Sequence, residues 1–348
     1  MKIFTTALFF AFLIATPVWS QSGKLSTAAE MAAYTGPDRQ RLLVEAAKRE
    51  GKVVWYTTLA VVQNKQIAAT FEAKYPGVKV EIYRTGSSAL VQRVLNEAQA
   101  RRHIVDAIET TLPGLLTFRD NHLLLPYASP YLAAYPEDSK EKAPANLVYW
   151  TIDRESYIGF AYNKNLLAAA DVPKSFDGLL KPALRDKLGL SGDDTGARSL
   201  GAMVKVKGEE FVKKLKEQNI QAHMMAGSAL TQLVASGEVP ASPSQFYSAT
   251  HVAAKKGAPV VWVPMDINVV GAGGAAVYAH AQRPHAALLF ADFLLSPEGQ
   301  KLLEDLYFGS AQKDYGFKRW YPEKEGTLAQ YEQALERWHK LLKEIIRK

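Results

Sequence analysis

The 348-residue chain has no cysteine, 42 Lys and Arg against 35 Asp and Glu, and 48% apolar residues. Those numbers exclude disulfide staples, thiolate metal sites and cysteine nucleophiles. A net charge of +7, without a basic stripe interleaved with aromatics, gives nucleic acid no footprint.

The first twenty residues, MKIFTTALFFAFLIATPVWS, join one Lys to an apolar run from Ala7 to Ala15, with Val18 and Ser20 at the −3 and −1 positions. This pattern reads as a secretory signal cleaved after Ser20. Its apolar core is shorter than the ~20 residues that span a bilayer, so the mature chain is expected free in a periplasm. An exported chain of this size builds a core large enough to do without disulfides.

A polar leader and an N-terminal helix occupy residues 21–50, with Asp38 as N-cap, Leu42, Leu43 and Ala46 on the apolar face, and Gly51 as the stop. KVVWYTT then reads as a buried strand and NKQIAATFEAKYPG as a helix with Ile67, Phe71 and Tyr75 on one side. VKVEIYRTG, SSALVQRVLNEAQARR and DAIET continue as strand, helix and strand. This β-α-β-α-β order predicts a parallel sheet wrapped by helices, the first part of one lobe over 51–155.

A second α/β unit is expected over 156–268. It opens with the strand SYIGFAYNKNLL and includes the helices SLGAMVKVKGEEFVKKLKEQN and SALTQLVASGEV. APVVWVPMD is its last strand, and residues 269–325 return to the first lobe. A helix over 326–348 carries Tyr331, Leu335, Trp338, Leu342 and Ile345 along one face. Two α/β lobes joined by repeated chain crossings enclose a cleft at the carboxyl ends of their strands.

The segments AAKREGKVVWYTT, FEAKYPGVKVE, YIGFAYNKNLL, LVASGEV and FADFLLSPEGQKLL occur in an order that resembles the extracellular solute-binding proteins of ABC importers. The most similar branch is that of the periplasmic ferric-iron binders and their relatives for organic anions. The resemblance runs over roughly residues 40 to 320. It implies a type II periplasmic-binding fold with two lobes, a hinge and an interlobe cleft. It also implies a monomer that carries a small-molecule ligand to an ABC permease without making or breaking a bond.

The iron-binding members of that branch use a His after the first strand, a Glu after the third and adjacent tyrosines in the second lobe. Here those places fall on TTLAV (57–61), on ETTLP (109–113) with Thr111 in register, and on Phe246, Tyr247 and Ser248. One phenol with hydroxyls supplies too little anionic oxygen for ferric iron, and Glu109 points one alternation away from the strand end. The seven histidines form no HExxH or HxH spacing. No metal and no cofactor are therefore expected.

Two stretches offer anion chemistry instead. TGSSALVQ (85–92) and DDTGARSLG (193–201) each place glycine and small hydroxyl residues where a helix begins. Free N–H groups and the positive end of a helix dipole bind carboxylate or phosphate there, although Ser and Thr at such places also serve as ordinary caps. Gly86, Ser87 and Ser88 in the first lobe, and Thr195, Gly196, Ala197 and Arg198 in the second, are the candidate contacts. Thr57 and Thr58 end the first strand, Thr110 and Thr111 end the third, and Asp266 lies near the return crossing. Tyr247 is the candidate aromatic contact, and Tyr157 is expected in the core.

The expected ligand is a small anionic or zwitterionic organic solute: a carboxylate, a phosphonate or a phosphate ester. Ferric iron with a synergistic anion, and a sensing module for a membrane kinase, remain alternatives. Mass spectrometry of the exported protein should show a mature chain starting at Gln21.

Overall fold

The computed structural model describes residues 27–225 and 227–346. The expected signal segment lies outside the described residues.

Lobe one begins with α1 (Ala28–Ala33) and α2 (Arg39–Glu50). It then alternates β1 (Lys52–Thr57), α3 (Val61–Lys74), β2 (Lys79–Arg84), α4 (Ser87–Gln99), β3 (Ala107–Thr111) and α5 (Leu112–Asp120). The short strands β4 (Leu124–Leu125) and β5 (Lys140–Ala143) follow. β6 (Leu147–Asn163) carries the chain into lobe two. There it continues through β7 (Gly189–Ser191), α6 (Asp194–Lys207), α7 (Glu209–Lys214), β8 (Gln221–His223) and α8 (Gly227–Ser236). β9 (Ala241–Phe246), α9 (Tyr247–Lys255) and β10 (Val260–Val263) complete that lobe's sheet. β11 (Asn268–Tyr278) returns to lobe one, where α10 (Pro284–Leu295) and α11 (Pro297–Asp305) follow. β12 (Arg319–Trp320) and α12 (Leu328–Ile345) pack back onto lobe two.

Several sequence signals act locally as their chemistry dictates. Gly51 terminates α2 in the left-handed conformation (φ 76°), and Ser296 caps α11 by accepting from the Gly299 N–H at 3.1 Å. α12 covers Thr327 to Ile345 as its apolar stripe predicts, and that stripe lies on α6, where Gly201 leaves room for the Trp338 ring. A Cβ at Gly201 would come within 2.6 Å of that ring. Asp38 stands at the N-cap of α2 but makes no cap bond, because its carboxylate is taken by the Tyr34 hydroxyl at 2.6 Å and by Arg41.

In lobe one the strand order is β2-β1-β3-β11-β6, with β1, β2 and β3 parallel and β11 antiparallel to β3. In lobe two β8 and β7 are parallel, β7 meets β9 through a parallel Leu188–Ala241 bridge, and β6 lies between β9 and β10. Both lobes therefore repeat one plan, and strands β6 and β11 belong to both.

Helices cover both faces of each sheet. Trp55, Phe71, Phe290 and Phe293 centre one lobe-one core, and Ile108, Leu115, Phe118 and Trp150 the other. α10 is buried along ten of its twelve residues, its one acid, Asp292, pairing with buried Arg39 at 3.1 Å. The N-terminus of α10 is held by Glu50, which accepts from the Ala286 N–H at 2.7 Å.

The hinge is longer than sequence pattern predicts. β6 is a single strand of 17 residues, reaching back through LVYWTIDRE into lobe one. The register between β6 and β11 slips where Gly273 pairs with Arg154 and Gly274 with Ile152, leaving Asp153 as the extra residue of a bulge. A third strand of chain passes the same point, with Glu155 and Gly309 exchanging backbone bonds at 2.9 and 2.8 Å.

Asp153 is fully buried, and neither of its carboxyl oxygens has a hydrogen-bond partner among the described residues. Burial, then the nearby Glu109 carboxylate, push its pKa up to about 8. Folding therefore favours the protonated acid. Its contribution is complete below the unfolded-state pKa of about 4 and is lost as pH rises toward about 8. Asp153→Asn should raise the midpoint of denaturant unfolding, and by more at pH 8 than at pH 5. Urea titrations at the two pH values check this.

Candidate functional site

The carboxyl ends of β1 and β3 in lobe one and of β7, β8 and β9 in lobe two face the gap between the lobes. At the start of α3 the Gln63 side chain turns back to accept from the Ala60 N–H at 3.2 Å, whereas three helices start at that edge without a side-chain cap: α4 after Gly86, α5 after Thr111 and α9 after Phe246. Their first N–H groups have no intrahelical acceptor. α6 differs, because the Asp193 carboxylate caps it by accepting from the Thr195 N–H at 2.9 Å.

On the lobe-one side, Ser87 Oγ lies 2.7 Å from Thr111 Oγ1 and 3.4 Å from Thr110 Oγ1. The structure thus brings the first turn of α4 and the end of β3 together as one hydroxyl cluster. Ser88 and Gly86 are exposed beside it. Thr57 is buried and donates to Glu109 at 2.6 Å. Thr58 accepts from Arg154 at 3.2 Å.

Glu109 is wholly buried and receives the Arg154 guanidinium through two nitrogens, Nε at 2.8 Å and an Nη at 2.7 Å. Both nitrogens meet the same oxygen, Oε1, while Oε2 takes the Thr57 hydroxyl, and Gly273 of β11 gives the pair the close backbone approach it needs. A Cβ there would lie 2.6 Å from Glu109 Oε1 and 2.8 Å from Arg154 Cζ.

On the lobe-two side the expected contacts are more enclosed. Thr195, Gly196 and Ala197 are buried in the first turn of α6. Arg198 pairs with buried Glu323 and donates to the Val270 carbonyl at 3.2 Å, so its fork already has partners within the chain. The Asp266 carboxylate accepts from the Phe176 N–H and fixes a loop. Tyr247 packs edge-on against Trp262 (5.3 Å) and Tyr157 (6.1 Å), and its hydroxyl has no hydrogen-bond partner among the described residues. Tyr157 is in the core, its hydroxyl donating to Glu155 at 2.6 Å.

A cavity of about 440 Å³ lies between α3 and α9. Ala60 and Gln63 line it from lobe one, Ser156 and Phe308 from the hinge, and Gln232, Ala235, Phe246, Ser248, Ala249, Val252, Ala253, Lys256 and Ala258 from lobe two. Lys256 is the one charged side chain in that lining. A second crevice of about 480 Å³ opens between α5 and the segment leading into α12, lined by Leu112, Trp150, Ile152, Glu323 and Lys324 among others. It lies on the opposite face of the hinge ribbon, since Trp150, Ile152 and Tyr157 share one cluster while Ser156 alternates with Tyr157.

The sequence reading missed most of the lining of the α3–α9 cavity. Ser248 and Val252 of α9 and Lys256 at its C-cap recur at helical spacing, which is the signal that could have revealed a ligand-facing stripe. Phe308 and Ser156 carry no local sign of their position.

A model of the bacterial extracellular solute-binding proteins matches residues 58–301, well over half of the chain. The chain belongs to that family. An uncharacterized protein of Haemophilus influenzae is 25% identical over 269 residues, 74% of this chain and 76% of that protein. The structure of the periplasmic binding protein AfuA from Actinobacillus pleuropneumoniae, with exogenous fructose-6-phosphate bound, aligns at a TM-score of 0.67 and 22% identity. The alignment covers 84% of this chain and 99% of that one. Iron-bound HitA from Pseudomonas aeruginosa aligns at 0.66 and 22% identity over 83% of this chain and 99% of that one. At these identities the likeness is one of fold, the two-lobed type II periplasmic-binding fold. Family membership implies a small-molecule ligand and an ABC permease as partner.

Both members of the Glu109–Arg154 pair are buried, so removing one leaves an uncompensated charge. Glu109→Ala should cost about 3–5 kcal/mol in chemical denaturation, and replacing both residues with apolar ones should recover most of that loss.

Proposed function

We propose that this protein captures a small anionic or zwitterionic organic solute between its lobes and delivers it to the permease of an ABC importer. One observation carries the reading. The α3–α9 cavity is lined by residues of both lobes and contains a lysine and no carboxylate. The first turn of α9 opens on it without a side-chain cap, and amides so placed attract negative charge.

In this reading the ligand binds the open cleft and the lobes rotate about β6 and β11 until both walls touch it. Lobe one offers Thr58, the uncapped turn at Gly86, Ser87 and Ser88, and the hydroxyl of Thr111, while Thr110 is buried beneath them. Lobe two offers the first turn of α9, which begins at Tyr247. The closed form, a monomer in the periplasm, is what the permease receives, and no bond is made or broken.

Glu109 and Thr57 hold the hinge pair rather than face the gap. At the places where the iron binders hold their metal, that leaves Tyr247 as the phenol. Among the described residues no three His, Asp or Glu side chains converge at a spacing suited to a metal ion.

A thermal-shift screen over carboxylates, phosphonates, phosphate esters and ferric nitrilotriacetate tests the reading. An organic anion should raise the unfolding midpoint by several degrees, as expected for a ligand at about 100-fold its Kd. A visible tyrosinate charge-transfer band with the ferric complex, without any response to anions, would establish the iron alternative.

A further inference from the structure

The α3–α9 cavity narrows the ligand beyond its charge. We infer that the ligand is an amphiphilic monocarboxylate, with a branched aliphatic or aromatic body against Phe246, Phe308 and Val252 and its carboxylate at Lys256. This inference rests on the anion reading above.

The walls are mostly carbon. Phe246 comes from the end of β9, Phe308 from the third hinge crossing and Val252 from the middle of α9, with alanine methyls filling the surface between them. Val252 is 37% exposed and has an open side toward the gap. The Arg154 guanidinium lies 5.2 Å over the Phe308 ring and is turned toward Glu109. Phe308, not this arginine, is therefore part of the lining.

The polar inventory then limits the head group. Lys256 supplies one positive charge, and Gln63, Gln232, Ser156 and Ser248 are the other polar side chains of the lining. A carboxylate brings one charge and two acceptor oxygens, which this set can satisfy. A phosphate ester brings up to two charges and three strong acceptors. A phosphorylated sugar adds several hydroxyls, and each one buried against alanine or phenylalanine loses its partner in water without replacement. The volume of about 440 Å³ lies within the range of pockets that enclose small organic molecules.

Calorimetry on the intact protein tests this with phenylacetate, 4-methylpentanoate, the neutral isostere phenylacetamide, inorganic phosphate and fructose 6-phosphate. The acids should bind at least about tenfold more tightly than phosphate, the sugar phosphate or the amide. Lys256→Ala should weaken phenylacetate toward the amide. Val252→Asp, on an exposed helix face where folding is not at risk, should cost the acids about tenfold or more. Circular dichroism confirms that both variants are folded.

If phosphate or fructose 6-phosphate binds and Val252→Asp leaves that binding unchanged, the amphiphile is wrong while the anion reading stands. If the amide binds as well as the acid, both fall. Absence of binding by apolar carboxylates from short to medium chain length also overturns the inference.

Discussion

Everything in this molecule turns on the pairing of β6 with β11. These two strands run through both lobes and donate to both sheets, so each lobe is completed by chain that also belongs to the other. The bulge at Asp153 interrupts the ladder between the lobes, and a bulge bends and twists the strand that carries it. On either side of it two buried acids are held by cations, Glu109 by Arg154 and Glu155 by Arg319. Buried ion pairs tolerate little misplacement, because any charge that loses its partner carries the full cost of desolvation. The crossing between the lobes is therefore fixed in place.

The cleft follows from the same architecture. Parallel α/β units present strand carboxyl ends and helix N-termini on one edge, and the hinge sets two such edges against each other. The donor-rich edge is thus a property of the fold rather than of any one residue. What individual residues add is selectivity. Hydroxyls gather in lobe one at Ser87, Thr110 and Thr111, while carbon surface and a single lysine line the α3–α9 cavity. α6, which starts at the same edge, is already occupied by Asp193.

The β-α-β-α-β order of lobe one was legible from apolar periodicity, since each element there is defined by residues a few positions apart. The α12 stripe was legible for the same reason, although its seat on lobe two was not. The reading failed where charges are buried. Arg154 and Glu155 carry no local sign of burial, yet they sit in the longest strand among the described residues, and their partners lie 45 and 164 residues away. Arg198 resembles a free anion fork until Glu323, 125 residues on, takes it. Tyr247, prominent beside Phe246, packs into an aromatic cluster drawn from Tyr157, Trp262 and Phe317.

By itself the sequence determined the class of the protein: an α/β chain without thiol chemistry, its elements in the order of an extracellular solute-binding protein. Those properties are written in composition and in spacings no longer than a helix or a strand. Only the tertiary structure decided which polar groups are taken up by one another and which are left to a ligand. A charged or hydroxyl side chain looks the same in either role, and its role is set by partners that the fold brings from distant parts of the chain.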